Sequence, residues 1–129
     1  MSGVYARNRK ITPFDPIDIC ARLQDAITKL VANEKYVPKK WRFILGLRVI
    51  DKADELMDVT IEANDINTRS HPELKVERKR LWHKARTKCT QLDRQLARLI
   101  NVCPTADAGE MTEIITLLDA EDEALSKAH

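Results

Sequence analysis

A chain of 129 residues with a formal net charge of +2, three glycines, 5% aromatic and 33% charged side chains is the size of one domain, with the profile of a helical bundle rather than a sheet protein. It holds no run of ~18 apolar residues, which excludes a membrane-spanning helix, and Arg7, Arg9 and Lys10 precede no apolar core of the kind a secretory signal needs. Cys20, Cys89 and Cys103 are an odd, unclustered set on apolar stripes, so they read as buried free thiols in a reducing, cytoplasmic setting.

Residues 1–14 mix basic and turn-forming types without periodicity and read as a loose basic arm; residues 15–129 read as the bundle. Asp15 and Pro16 suit the N-cap and first position of a helix whose apolar face is Ile17, Cys20, Leu23, Ile27, Leu30 and Val31. Pro38 then opens a second helix that runs to Asp65, about 40 Å long. Its seam is Trp41, Leu45, Val49, Leu56, Thr60 and Ala63, widened by Ile44, Leu47, Ile50, Met57 and Ile61. Pro72 begins a third helix of about 28 residues on Leu74, Leu81, Trp82, Ala85, Cys89, Leu92, Leu96, Leu99 and Ile100. Arg78 interrupts that seam and needs either a partner or a position at the seam's edge. Pro104 ends it, and Thr105 or Asp107 can cap a fourth helix with the stripe Met111, Ile114, Ile115, Leu118 and Leu125, broken by Glu121, Asp122 and Glu123. Four amphipathic helices on short connections make an all-α, antiparallel up-down-up-down four-helix bundle.

The near-zero net charge conceals segregation. Residues 35–48 carry five basic and no acidic side chains and residues 69–98 carry ten and three, whereas residues 49–68 carry one and six and residues 101–129 one and seven. The basic start and acidic end of the second helix both oppose its dipole, so helix stability did not place them. An antiparallel third helix brings Lys75, Arg78, Lys79 and Arg80 beside the acidic end, where the charges can neutralise one another. At the other end Lys39, Lys40, Arg42 and Arg48 meet Arg94 and Arg98, which calls for an external anion or for the acidic start of the fourth helix. Lys79, Arg80, Lys84, Arg86 and Lys88 extend the positive surface. Such a surface follows a nucleic-acid backbone through salt-sensitive phosphate contacts. Aromatic stacking groups are scarce, and Trp41 and Trp82 fall on the seams, so the expected binding is tolerant of sequence.

Signatures of catalysis and metal binding are missing. His71, His83 and His129 have no partner at ligand spacing, and no phosphate loop, nucleophile elbow or HExxH occurs. No catalytic residue, metal ligand or cofactor is therefore assigned. The acidic ladder Asp51, Asp54, Glu55, Asp58 and Glu62, with Glu110 and Glu113, keeps open an all-α Mg²⁺-dependent nucleotide pyrophosphatase. A structural homo-oligomer with charges paired between subunits is the other alternative.

The run Val37-Pro38-Lys39-Lys40-Trp41-Arg42-Phe43-Ile44-Leu45-Gly46, followed by Ala53-x-x-Leu56-Met57 and Ile61-Glu62-Ala63, resembles a family of four-helix bundles. It comprises ribosomal-RNA intervening-sequence proteins and the accessory variability determinants of diversity-generating retroelements. The likeness covers about residues 35–100, while the C-terminal DAEDEALSKAH lacks the Gly-rich, Trp-containing ending common in that family. The resemblance implies a pentameric ring with a basic surface. In the retroelement branch it also implies binding to RNA or DNA, and to a reverse transcriptase during mutagenic copying of a template. The matching basic positions are Lys39, Lys40 and Arg42.

Overall fold

The computed structural model describes residues 15–127; the proposed basic arm and His129 lie outside them. Four helices account for the fold, α1 (Pro16–Ala32), α2 (Leu47–Asp65), α3 (Lys75–Val102) and α4 (Met111–Lys127), and no strand occurs among the described residues. Each helix packs chiefly on its neighbours in the ring order α1, α2, α3, α4, so α2 and α4 sit on one diagonal. Contacts of Lys52 with Gln91 and Lys88 with Glu55 fix the antiparallel register of α2 and α3, and Arg86 with Asp122 that of α3 and α4. This is the four-helix bundle expected from the periodicities.

Local chemistry sets the helix boundaries. The Asp15 carboxylate accepts from the amides of Ile17 at 3.0 Å and Asp18 at 3.3 Å, so it caps α1 as its position before Pro16 indicates. Pro38 stands one place outside the next helix as its N-cap. A single α-turn, Lys39–Trp41, passes into a π-turn, Arg42–Gly46, before α2 proper begins. In the π-turn the Leu47 amide donates to the Arg42 carbonyl, five residues back, so one extra residue is accommodated. Two contacts with α1 accompany it. Gly46 lies so close to α1 that a Cβ there would stand 2.7 Å from Val31 Cγ1. The Arg42 guanidinium donates to the carbonyls of Val31 at 3.1 Å and Ala32 at 3.4 Å, satisfying the exposed end of α1.

The π-turn corrects the apolar face read from a uniform 3.6-residue period. Leu45 and Gly46 are both buried, whereas Phe43 is 65%, Ile44 53% and Leu47 42% exposed. Ile61, also placed on that face, is 40% exposed. From Val49 onward the seam Val49, Leu56, Thr60 and Ala63 is buried as expected.

A short 3₁₀ turn, Pro72–Leu74, precedes α3, whose seam from Leu81 to Leu99 is buried. Neither Thr105 nor Asp107 caps α4, which starts later, at Met111. Residues 104–106 instead form a 3₁₀ turn, and the Thr105 hydroxyl donates to the Tyr36 carbonyl at 2.8 Å. Gly109, with φ of 57°, lies against the Tyr36 ring, where a Cβ would come within 2.5 Å of Cε2. The α1–α2 and α3–α4 connections are thus fastened to each other at one end of the bundle.

One core position is charged by residue type. Glu121 continues the α4 stripe from Ile114 and Leu118 and is fully buried, near the thiols of Cys20 and Cys89. Desolvation raises its carboxyl from 4.5 to about 8, so it is largely protonated at neutral pH. All three cysteines are free and buried, and burial raises the Cys20 and Cys89 thiols, the latter to about 12.

Candidate nucleic-acid interface

The basic side chains singled out in the sequence fall into separate groups once the helices are placed. Arg80, Lys84, Arg94 and Arg98 follow the spacing i, i+4, i+14, i+18 along the outer face of α3, with Thr87 and Gln91 between them. This stripe is about 27 Å long and contains no acidic side chain. The four cations are exposed, and Lys84, Arg94 and Arg98 form no ion pair among the described residues. Arg94 and Arg98 also line an open groove with Gln95, Ala97 and Asn101. Continuing the α2–α3 register places Arg48 level with Gln95, at the edge of the same groove.

Arg48 is exposed and donates to the Ile44 carbonyl at 3.1 Å, an acceptor within the π-turn. Lys39 and Lys40 are exposed at the bundle end toward which the stripe runs, with the Lys40 ammonium 5.4 Å from the centre of the half-buried Trp41 ring. No described ion pair links these lysines, Arg94 or Arg98 to the acidic start of α4, so that counter-charge is not in place.

The remaining predicted contacts have work inside the fold. Arg42 is bound to the α1 carbonyls. Lys88 points inward to Glu55 at 2.8 Å with its side chain 20% exposed, and Lys52 reaches the same carboxylate at 3.3 Å. Their hydrogen bonds, that of Lys88 foremost, hold the Glu55 carboxyl below its ordinary range. Arg86 approaches Asp122 of α4 at 3.6 Å. Arg80 is paired through two hydrogen bonds, of 2.6 and 3.0 Å, with Glu77 of its own helix; Glu62 of α2 acts on it only at longer range. Thus the acidic end of α2 does not neutralise the start of α3 as expected. Lys79 lies on the opposite flank from the stripe, where it lines a pocket with Lys75, Arg78 and Trp82.

The acidic ladder does not assemble into a metal centre. Glu55 is occupied by two lysines, Asp54 accepts from Gln24 at 2.9 Å, and Glu110 and Glu113 stand on the diagonal helix. Among the described residues no three His, Cys, Asp or Glu side chains come together in a way that could hold a metal ion. His71 and His83 are exposed, and no described helix is long and apolar enough to cross a membrane.

Three features escaped the sequence reading: the π-turn, the burial of Glu121, and the stacking of Arg78 on Trp82 at 5.4 Å. The last two had a signal. Glu121 keeps the i, i+4, i+7 spacing of Ile114 and Leu118, and Arg78 stands four residues before Trp82 on one face. The fold and its surface together define an all-α bundle with a cationic outer stripe. Compared with protein-family models, curated proteins and solved structures, the chain matches none.

Proposed function

We propose that the protein binds RNA or DNA through the α3 stripe and the lysines at the start of the second helix, as a non-enzymatic accessory protein. The observation that supports this reading most is the set of exposed cations without carboxylate partners, Lys84, Arg94 and Arg98, along the outer face of α3. Phosphates spaced along a nucleic-acid strand are the polyanion such a row fits, and release of their counterions supplies the affinity. Without exposed aromatic shelves on that face, base identity counts for little.

The exposed Phe43, Ile44 and Leu47, beside Lys39 and Lys40, favour self-association. In line with the family resemblance, we place the protein in a homo-oligomeric, pentameric ring that acts beside a reverse transcriptase in copying a template RNA. The same apolar patch also fits a second reading, a structural oligomer that does not touch nucleic acid.

Binding to a single-stranded oligonucleotide as a function of salt separates the two. The expected result is an affinity that falls steeply with salt, and a Lys84→Glu/Arg94→Glu/Arg98→Glu variant whose salt slope is lower by about 2. Absence of binding at low salt, or binding indifferent to salt, overturns the nucleic-acid reading. Phe43→Glu, expected to shift the oligomer toward monomer in sedimentation, tests the patch separately.

A further inference from the structure

At the start of α3, on the flank away from α2, Thr68, Lys75, Arg78, Lys79 and Trp82 line a pocket of about 370 Å³. The four from α3 follow the spacing i, i+3, i+4, i+7, so one helical face supplies them together. Trp82 is 2% exposed and its indole N–H has no acceptor. The buried Nε of Arg78 has none either, while its guanidinium is stacked on the Trp82 ring at 5.4 Å. Both N–H groups are sealed from solvent, so the stacked pair forms the floor of the pocket, and the ammonium groups of Lys75 and Lys79 form its rim.

The charges around the pocket are equally unanswered. Lys75 and Lys79 form no ion pair among the described residues. The nearest carboxylates in sequence are engaged elsewhere, Glu77 with Arg80 and Glu73 with His71. The first turn of a 28-residue helix adds the positive end of its dipole.

We propose that this pocket binds a phosphate group, as inorganic phosphate or as a terminal phosphate monoester. Two ammonium groups and a guanidinium stacked on the buried indole supply cationic and directional donors for an oxyanion bearing more than one charge. A carboxylate, with a single charge and two oxygens, would leave part of that set unused. The site does not depend on the α3 stripe, from which it is separated by the width of the helix.

The indole N–H resonances in a ¹H–¹⁵N spectrum provide the test, with Trp41→Phe assigning the Trp82 signal. At constant ionic strength, inorganic phosphate should shift that signal saturably, whereas chloride should not. Lys75→Gln/Lys79→Gln, at two exposed positions, should weaken the effect at least tenfold with helicity unchanged, and Lys39→Gln/Lys40→Gln should leave it intact. A 5′-phosphorylated dinucleotide acting at lower concentration than inorganic phosphate, with its 5′-hydroxyl counterpart inactive, identifies the monoester as the ligand. The reverse order identifies free phosphate. No saturable shift, or an undiminished one in Lys75→Gln/Lys79→Gln, overturns the proposal.

Discussion

Along the flank of α3 that faces α2, Lys88 and Lys52 converge on Glu55, and Arg80 clamps Glu77. The opposite flank is arranged differently. Arg86 meets Asp122 at its rim, but Lys75, Arg78 and Lys79 reach no carboxylate among the described residues, and the buried carboxyl of Glu121 reaches no cation. One helix thus borders two electrostatic regimes. Where charges are paired across the helices, at Glu55, they hold α2 and α3 in register and have nothing left for a ligand. Where they are unpaired, one group keeps its proton and the others stay open to an anion.

The largest effect expected from this contrast concerns Glu121. Its folded pKa, about 8, lies above the ordinary 4.5, so the folded chain retains a proton that the unfolded chain releases. Stability should therefore fall as pH rises from 4.5 to about 8 and level off above. Glu121→Gln, which keeps the shape and cannot ionise, should remove that slope. It should stabilise the protein by about 4 kcal/mol at alkaline pH relative to its effect under acid conditions. Urea unfolding of both proteins at pH 5 and pH 9 measures this, and parallel behaviour would show that the carboxyl is not neutral in the fold.

Second in size is the surface. Charge reversal of Lys84, Arg94 and Arg98 should weaken oligonucleotide binding by tenfold or more at low salt. The corresponding change at Lys88 should unfold or loosen the bundle instead, because that side chain serves Glu55. Binding isotherms alongside thermal melts separate the two outcomes.

Third is the packing of the second helix on α1. Gly46→Ala sets a methyl 2.7 Å from Val31 Cγ1 and should cost about 1–3 kcal/mol, while Gly46→Ala/Val31→Ala should recover part of it.

These sites differ in how far they could be read from residues alone. Leu74, read onto the α3 seam, lies in the preceding 3₁₀ turn and is exposed, but the bundle, the Asp15 cap and the seam from Leu81 to Leu99 followed from local rules of spacing and capping that the tertiary structure left undisturbed. The π-turn did not, because it answers to close approach between Gly46 and Val31 and to Arg42 reaching the end of α1, contacts between segments that sequence periodicity does not encode. Charge segregation was legible as composition, but its meaning depends on which flank of a helix each side chain occupies. Lys79 and Arg80 are adjacent in sequence, yet one faces the pocket with Trp82 and the other joins Glu77 and the stripe. Glu121, Asp122 and Glu123 read as an interruption of the α4 stripe; the first is as fully buried as Ile114 and Leu125, and the other two are solvated.

The smallest effect, and the sharpest test of the paired flank, lies at Glu55. Its side chain is 40% exposed, so its ion pairs with Lys52 and Lys88 are partly screened and their coupling should stay near or below about 1 kcal/mol. A double-mutant cycle of Glu55→Gln and Lys88→Met measures it directly. Because the Glu55 pKa is lowered in the fold, the contribution is present above the unfolded value of 4.5 and is lost as pH falls through the folded one. The coupling should accordingly vanish in acid, where Glu121 ceases to oppose folding. Opposite slopes of stability with pH, one from each flank of α3, are the expected signature. A coupling of several kcal/mol would mean that Glu55 and Lys88 are shielded from water like a core pair, which would erase the distinction between the flanks.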